Sequence, residues 1–150
     1  MKKLLLTIAI LLTGLTLSAQ PKSFGVRVGT GLFMSYQQTL GGKNFLELDA
    51  GVNGVGDYSG WRFVGTYNFN IVRAQVGAGH FDVYAGPGIN MGLYDNAKFV
   101  FGLNAQAGVS YDFGRIPLNI SLDIVPSVNF PGAKDFVTTL IPYFSIRWRL

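Results

Sequence analysis

The 150-residue sequence contains no cysteine and a single histidine, and only 13% of its residues are charged. Without cysteine the chain has no disulfide bond and cannot be a lipoprotein acylated on cysteine. The charged content is about half of the ~25% that is usual for soluble domains. The formal net charge of +4 becomes +2 if Lys2 and Lys3 are removed with a signal peptide, which is too little to indicate a nucleic-acid partner.

The N-terminus has the residue order of a secretory signal peptide. Lys2 and Lys3 precede an apolar run from Leu4 to Leu17, and the small residues of "LSAQ" follow. A single anchoring helix is the weaker alternative, because the apolar run is shorter than the ~20 residues that a spanning helix needs. We expect cleavage after Ala19, which gives a signal peptide at residues 1–19 and one mature domain at residues 20–150.

In the mature chain apolar and polar residues alternate nearly everywhere, and a period of two predicts β-strands. Short turn-forming segments such as "LGGKN" at 40–44 and "PGAKD" at 131–135 separate the alternating stretches, so consecutive strands should pair as antiparallel hairpins. The break near Gly31 is the weakest, and without it the count falls to seven. The eight predicted strands are Ser23–Thr30, Leu32–Thr39, Phe45–Gly54, Gly60–Ile71, His80–Leu93, Lys98–Phe113, Leu118–Phe130 and Val137–Leu150.

Each predicted strand has one apolar face and one polar face. A soluble barrel turns the apolar face inward, whereas a membrane barrel turns it outward. The apolar face is too bulky for the interior of a small barrel, and the polar face is rich in Gly, Ser and Asn with few Lys. Aromatic residues also gather near strand ends, as in interfacial girdles. We interpret the sequence as a transmembrane barrel, and a soluble ligand-binding barrel with reversed faces is the alternative.

The segments "GLFMSYQQTLGGKNFLEL", "FDVYAGPG" and "IPLNISLDIVP", with a signal ending in "SAQ", resemble the small eight-stranded outer-membrane β-barrel proteins of Gram-negative bacteria. The functions of this family are largely unassigned. The resemblance covers the mature chain and implies an all-β, eight-stranded antiparallel up-and-down transmembrane barrel, porin-like in architecture, among the lipids of the cell outer membrane. It also implies that the last strand is a signal for the barrel-assembly machinery. The corresponding residues are Phe144, Ile146, Trp148 and Leu150, the last in place of the usual terminal aromatic.

The charged residues of the polar face are the main candidates for a site. In a narrow lumen, arginines and carboxylates should pair, because an unpaired buried charge is very costly. We expect the pairs to plug the barrel, since eight strands leave little room beyond side chains, and a selectivity filter or proton path is the alternative. The predicted lumen charge network comprises Arg27, Glu47, Asp49, Arg62, Asp82, Asp112, Asp123, Arg147 and Arg149.

His80 shares a face with Asp82 near one rim, and such a pair can serve a hydrolase. No serine partner is evident in the sequence, so we expect His80 to make ordinary hydrogen bonds. The segments "GPGINMG" at 86–92 and "GGKN" at 41–44 lack the spacing of nucleotide-binding loops. We therefore predict no catalytic, cofactor-binding or metal-binding residue and no enzymatic activity, with a lipid-modifying barrel enzyme as the second alternative.

Pro87, Pro126 and Pro142 interrupt the predicted strands five, seven and eight, and proline cannot donate to a β-ladder. Pro126 and Pro142 should lie nearly opposite each other and loosen the seam between the last two strands. A bulge or flared rim is one interpretation, and a lateral opening for a small hydrophobic or lipid-like molecule is the other. The sequence thus predicts a monomeric, non-enzymatic barrel with a structural or accessory envelope role, and transport of such molecules is the first alternative.

Overall fold

A computed structural model describes residues 21–54, 59–94, 98–130 and 140–150 of the chain. The predicted signal peptide at residues 1–19 lies outside this range. None of the described residues belongs to a helix that is long and apolar enough to cross a membrane. The strands are β1 (Lys22–Val28), β2 (Gly31–Thr39), β3 (Asn44–Asn53), β4 (Gly60–Val76), β5 (Gly79–Tyr94), β6 (Lys98–Asp112), β7 (Leu118–Ile124), β8 (Ser127–Phe130) and β9 (Pro142–Arg149).

The strands form a closed antiparallel barrel. Each strand from β1 to β6 pairs with the strand that follows it, β7 pairs with β9, and β9 pairs with β1 to close the ring. Both β7 and β8 pair with β6, so they are two halves of one interrupted barrel strand. The predicted all-β fold, a barrel of eight antiparallel strands, is confirmed.

The pairing registers fix the tilt of the strands. A path along paired residues leaves β6 at Tyr111, passes through β7, β9 and β1 to β5, and returns to β6 at Phe101, ten residues from its start. With a strand spacing of about 4.8 Å and a rise of about 3.3 Å per residue, this stagger tilts eight strands by about 40°. Residues on one such path therefore lie at different heights in the barrel.

Two ends of the barrel are distinguished below. The terminal mouth is the end at which β1 begins and β9 ends. The distal half is the half toward the β1–β2 turn and the β5–β6 connection. An even number of barrel strands places both chain ends at the terminal mouth.

Strand β4 is longer than the sequence predicts. The predicted strand ends at Ile71, whereas β4 continues to Val76 and turns tightly into β5 at Gly77, whose φ is +63°. A bulge between Asn70 and Val72 shifts the register there. In the sequence the bulge corresponds to a change of parity, because the apolar residues move from odd positions, Phe69 and Ile71, to even ones, Val72 and Val76.

The prolines occupy two different kinds of position. Pro126 separates β7 from β8, and Pro142 begins β9, which is shorter than the predicted strand from Val137. Residues 137–139 lie outside the described residues. Pro87 does not interrupt β5, which is continuous and pairs through Pro87 with Ala105 of β6. The expected interruption at Pro87 is therefore wrong, because the missing amide affects only the ladder toward β4.

The barrel is apolar outside and charged inside. Large apolar side chains are exposed on every strand, and Trp61 is 58% exposed. Inside, Arg27 is 2% exposed and Arg147 is fully buried. A small apolar cluster that includes Phe33 and Tyr143 lies among these polar residues. The soluble alternative, with the apolar face turned inward, does not match this arrangement.

Candidate functional site inside the barrel

Arg27 is the centre of a buried group of charges. From β1 its guanidinium group forms ion pairs with Glu47 and Asp49 of β3 and with Asp123 of β7. The contact between Arg27 Nη1 and Asp49 Oδ2 is 2.6 Å long. Neither β3 nor β7 is a neighbour of β1 in the sheet, so these contacts run through the lumen.

Arg147 of β9 is the second cation of this group. Its Nη2 lies 3.0 Å from Glu47 Oε1, so Glu47 contacts both arginines. The remaining guanidinium nitrogens donate to hydroxyl groups, Nε to Ser35 Oγ at 2.8 Å and Nη1 to Ser121 Oγ at 2.8 Å. We call Arg27, Glu47, Asp49, Asp123 and Arg147 the central charge cluster.

Neutral side chains donate further hydrogen bonds to two of the carboxylates, Glu47 and Asp123. Tyr84 Oη donates to Asp123 Oδ2 at 3.0 Å, Gln106 Nε2 to Glu47 Oε1 at 3.0 Å, and Gln37 Nε2 to Glu47 Oε2 at 2.7 Å. None of these three residues belongs to the predicted network, although each lies on the polar parity of its strand. Tyr84 lies two residues after Asp82, on the polar face of the predicted strand, and this position indicates that its side chain points into the barrel.

The terminal mouth holds a separate group of charges around a cavity of about 410 Å³. Arg73 donates to both oxygens of Asp82, from Nε at 2.7 Å and from Nη2 at 3.0 Å. Arg149 Nε lies 4.0 Å from Asp112 Oδ1. Arg73 is absent from the predicted network, because the predicted strand ends at Ile71, before the residues that the bulge in β4 brings to the side of Asp82.

His80 lines the same cavity and is exposed. Since both carboxylate oxygens of Asp82 accept from Arg73, Asp82 is engaged by an arginine and not by His80. In the described part of the chain, no cluster of histidine, aspartate and glutamate side chains could hold a metal ion.

Arg62 lies apart from the other predicted charges, in the distal half. It is 4% exposed, and among the described residues its guanidinium group contacts two hydroxyl groups, with Nη2 at 3.1 Å from Ser127 Oγ and Nη1 at 3.4 Å from Tyr143 Oη. Within the described ranges no ion pair joins Arg62 to a carboxylate. The nine predicted charges thus fall into three layers, namely Arg62, the central charge cluster and the terminal mouth.

The described rungs between the last two barrel strands end at Ile124 and Pro142. Beyond Pro126, β8 pairs with β6, and the residues that would face its other edge in the same register, 136–139, lie outside the described residues. We call the point where the described rungs end, at Pro126 and Pro142, the proline seam.

The four residues predicted as an assembly signal lie on the outer face of the closing strand. Phe144, Ile146 and Trp148 are exposed, and β9 pairs with β1 on one side and with β7 on the other. Leu150 follows the strand, and its amide donates to the carbonyl of Lys22 at 2.8 Å. The last strand therefore completes the wall of the barrel.

Comparison with protein-family models, with curated proteins and with solved structures finds no match for this chain. Its function has to be inferred from four features of its own geometry. These are the apolar outer wall, the central charge cluster, the terminal mouth and the proline seam.

Proposed function

We propose that this chain is a non-enzymatic integral protein of the bacterial outer membrane, with a barrel that spans the bilayer and a lumen that is closed by charged side chains. One observation carries the proposal. Apolar side chains are exposed around the whole barrel, whereas arginines and carboxylates are buried inside it. Monomeric soluble proteins rarely expose contiguous apolar patches of more than a few hundred Å², while lipid-facing barrels require such a surface.

The dimensions of the wall support this location. On β4 the exposed aromatic residues lie within a stretch of nine residues, from Trp61 to Phe69. A transmembrane strand needs about 9–11 residues at a tilt close to 45°. Aromatic residues at both ends of such a stretch are typical of the two interfaces of a bilayer.

The central charge cluster supports a closed barrel rather than a pore. Arg27 reaches carboxylates on β3 and β7, so its contacts cross the lumen. The interior of an eight-stranded barrel is just wide enough for side chains to fill. A structural or accessory role in the envelope is consistent with a lumen that is filled in this way.

Gel electrophoresis of the outer-membrane fraction, with and without boiling, tests this proposal. Planar-bilayer conductance is recorded for the same preparation. We expect a heat-dependent shift in mobility and no channel openings. A soluble protein without a shift would refute the membrane location. Steady channel openings would refute the plug.

Pro126 and Pro142 favour a second function, lateral passage of a small hydrophobic or lipid-like molecule at the proline seam. Lipid offers no hydrogen-bond partner to a strand edge, so two prolines without amide donors are a weak point of the wall. Pro126→Thr and Pro142→Val supply the missing amide donors at this point. We expect both changes to reduce uptake of a hydrophobic dye, while Pro87→Thr on the continuous strand β5 serves as control. Uptake equal to that of the wild type in all three variants would refute the lateral route.

A further inference from the structure

The terminal mouth is surrounded by turns that the structure describes. The β2–β3, β4–β5 and β6–β7 turns, at 40–43, 77–78 and 113–117, all lie within the described ranges. The internal segments outside those ranges, 55–58, 95–97 and 131–139, connect strands at the opposite end of the barrel. Residues 1–20 precede β1 at the terminal mouth, and they contain no aspartate or glutamate. The side-chain charges of this mouth can therefore be compared without an undescribed carboxylate.

The cavity of about 410 Å³ at the terminal mouth has an excess of positive charge. Three cationic side chains, Lys43, Arg73 and Arg149, line it together with two carboxylates, Asp82 and Asp112. Each carboxylate is already engaged by an arginine, Asp82 by Arg73 and Asp112 by Arg149. Lys43 forms no ion pair with a described residue. The ammonium group of Lys43 is therefore the charge that remains for a ligand.

Lys43 lies on a tight turn that offers further donors to the same cavity. Gly41 and Gly42 precede it with φ angles of +87° and +61°, and both line the cavity. The amide of Asn70 on β4 donates to the carbonyl of Lys43 at 3.2 Å, which fixes the turn against the wall. The amides of Gly42 and Lys43 donate to no described residue. Free amides on a turn beside a lysine are groups that bind phosphate.

The rest of the cavity is polar and leaves room for more than a phosphate group. Asn70 lines it, and the side-chain Oδ1 of Asn70 is buried without a partner among the described residues. An unpaired buried acceptor is costly, so this oxygen favours a ligand with a hydroxyl group. The volume of about 410 Å³ lies within the range of about 300–1,000 Å³ that is usual for small-molecule sites.

We propose that the terminal mouth binds the phosphate ester of a small polyol, with its phosphate at Lys43 and the turn amides and a hydroxyl group at Asn70. Arginine matches a planar carboxylate with two parallel donors, but both arginines of the cavity are already engaged with carboxylates. The ligand is soluble rather than a lipid head group, because the site lies inside the barrel and lipid would contact its outer face. Only entry from the periplasm rests on the proposed membrane location.

Isothermal titration of the purified full chain in a neutral detergent at pH 7.5 tests the inference with glucose 6-phosphate, glucose and glucuronate. We expect glucose 6-phosphate to bind, and glucose and glucuronate to bind at least tenfold more weakly. Lys43→Gln should weaken glucose 6-phosphate binding at least tenfold. Lys22→Gln is the matched control at the same end of the barrel, since Lys22 does not line the cavity, and it should leave binding unchanged. Equal binding of glucuronate and glucose 6-phosphate would overturn the phosphate assignment.

A second variant and a lipid probe decide the remaining parts of the inference. Asn70→Leu should weaken glucose 6-phosphate binding and leave inorganic phosphate binding unchanged, and equal effects on both would overturn the role of Asn70. Unchanged binding by a folded Lys43→Gln protein would overturn the role of Lys43. Phosphatidylglycerol micelles that bind more tightly than glucose 6-phosphate would overturn the soluble ligand. A heat-dependent mobility shift without any binding removes this inference alone, whereas binding by a protein without the shift removes only the proposed function.

Discussion

Arg27 on β1 and Asp123 on β7 form a buried ion pair although β9 lies between their strands. The same guanidinium group pairs with Glu47 and Asp49 on β3, from which β1 is separated by β2. One side chain therefore joins three barrel strands that do not touch one another in the wall. The interior of the barrel is stabilised by polar contacts in the place where a soluble domain has an apolar core.

Replacement of this arginine should destabilise the barrel strongly. Arg27→Met leaves three buried carboxylates with one arginine, and breaking a buried pair from one side costs about 3–5 kcal/mol. Urea unfolding in detergent, followed by the heat-dependent mobility shift, measures the change. Arg149→Met is the control, since the Arg149 pair at the terminal mouth is long and partly exposed and should contribute less than about 1 kcal/mol. Equal losses in the two variants would contradict the central position of Arg27.

Replacement of Arg62 should have the opposite effect on stability. Because Arg62 has no carboxylate partner in the described ranges, Arg62→Met removes a buried charge and leaves none unpaired. We expect a urea midpoint equal to or higher than that of the wild type, in the same assay. A loss as large as that of Arg27→Met would show that Arg62 has a counter-charge.

A methyl group at Gly108 should disturb the central charge cluster indirectly. A Cβ atom there would lie 2.3 Å from Asp123 Cβ and 2.7 Å from the carbonyl oxygen of Leu122, so the ladder between β6 and β7 has to shift. We expect Gly108→Ala to lower the free energy of unfolding by about 1–3 kcal/mol, as overpacking does. Gly54→Ala is the matched control, because nothing lies within 4 Å of its Cβ position. Unfolding curves that coincide for the two variants would argue against this crowding.

A charge introduced on the outer wall tests whether this surface faces lipid or water. Met34 in the middle of β2 is 59% exposed, so Met34→Arg is harmless if the wall faces water. In a bilayer the same change costs about 2–4 kcal/mol near the midplane and should reduce the heat-shifted fraction in the outer membrane. Leu40→Arg, at a 41% exposed position in the turn after β2, should have little effect. A normal yield of folded Met34→Arg protein in water would contradict the membrane location.

The strands and their two faces could be predicted from the sequence, because alternation is a local property of the chain. The contacts inside the lumen could not, because they depend on the stagger of the whole barrel. Arg27 and Arg62 lie on one path of paired residues, through Phe33 and Gly51. Three strand spacings along a wall tilted by about 40° raise Arg62 by about 9 Å, which separates it from the central charge cluster.

The terminal mouth carries a signal that the sequence does contain. Apolar residues lie at odd positions up to Ile71 and at even positions from Val72 onward, and this change of parity marks the bulge that brings Arg73 beside Asp82. The prolines at the proline seam could likewise be recognised from the sequence, because a missing amide donor has the same effect in any ladder.

The stagger of ten residues also has a consequence for the surrounding lipid. Val28, the last residue of β1, lies on one path of paired residues with Leu93 of β5 and Phe99 of β6. Five strand spacings at a tilt of about 40° place the β6 end of this path about 15 Å above its β1 end. That height is close to one leaflet of a bilayer whose hydrocarbon core is about 30 Å thick. If the barrel spans the bilayer as proposed, with its terminal mouth on the periplasmic side, the described wall crosses both leaflets beside β5 and β6 but little more than the inner leaflet beside the β1–β2 hairpin, and this hydrophobic mismatch would thin the membrane on that side.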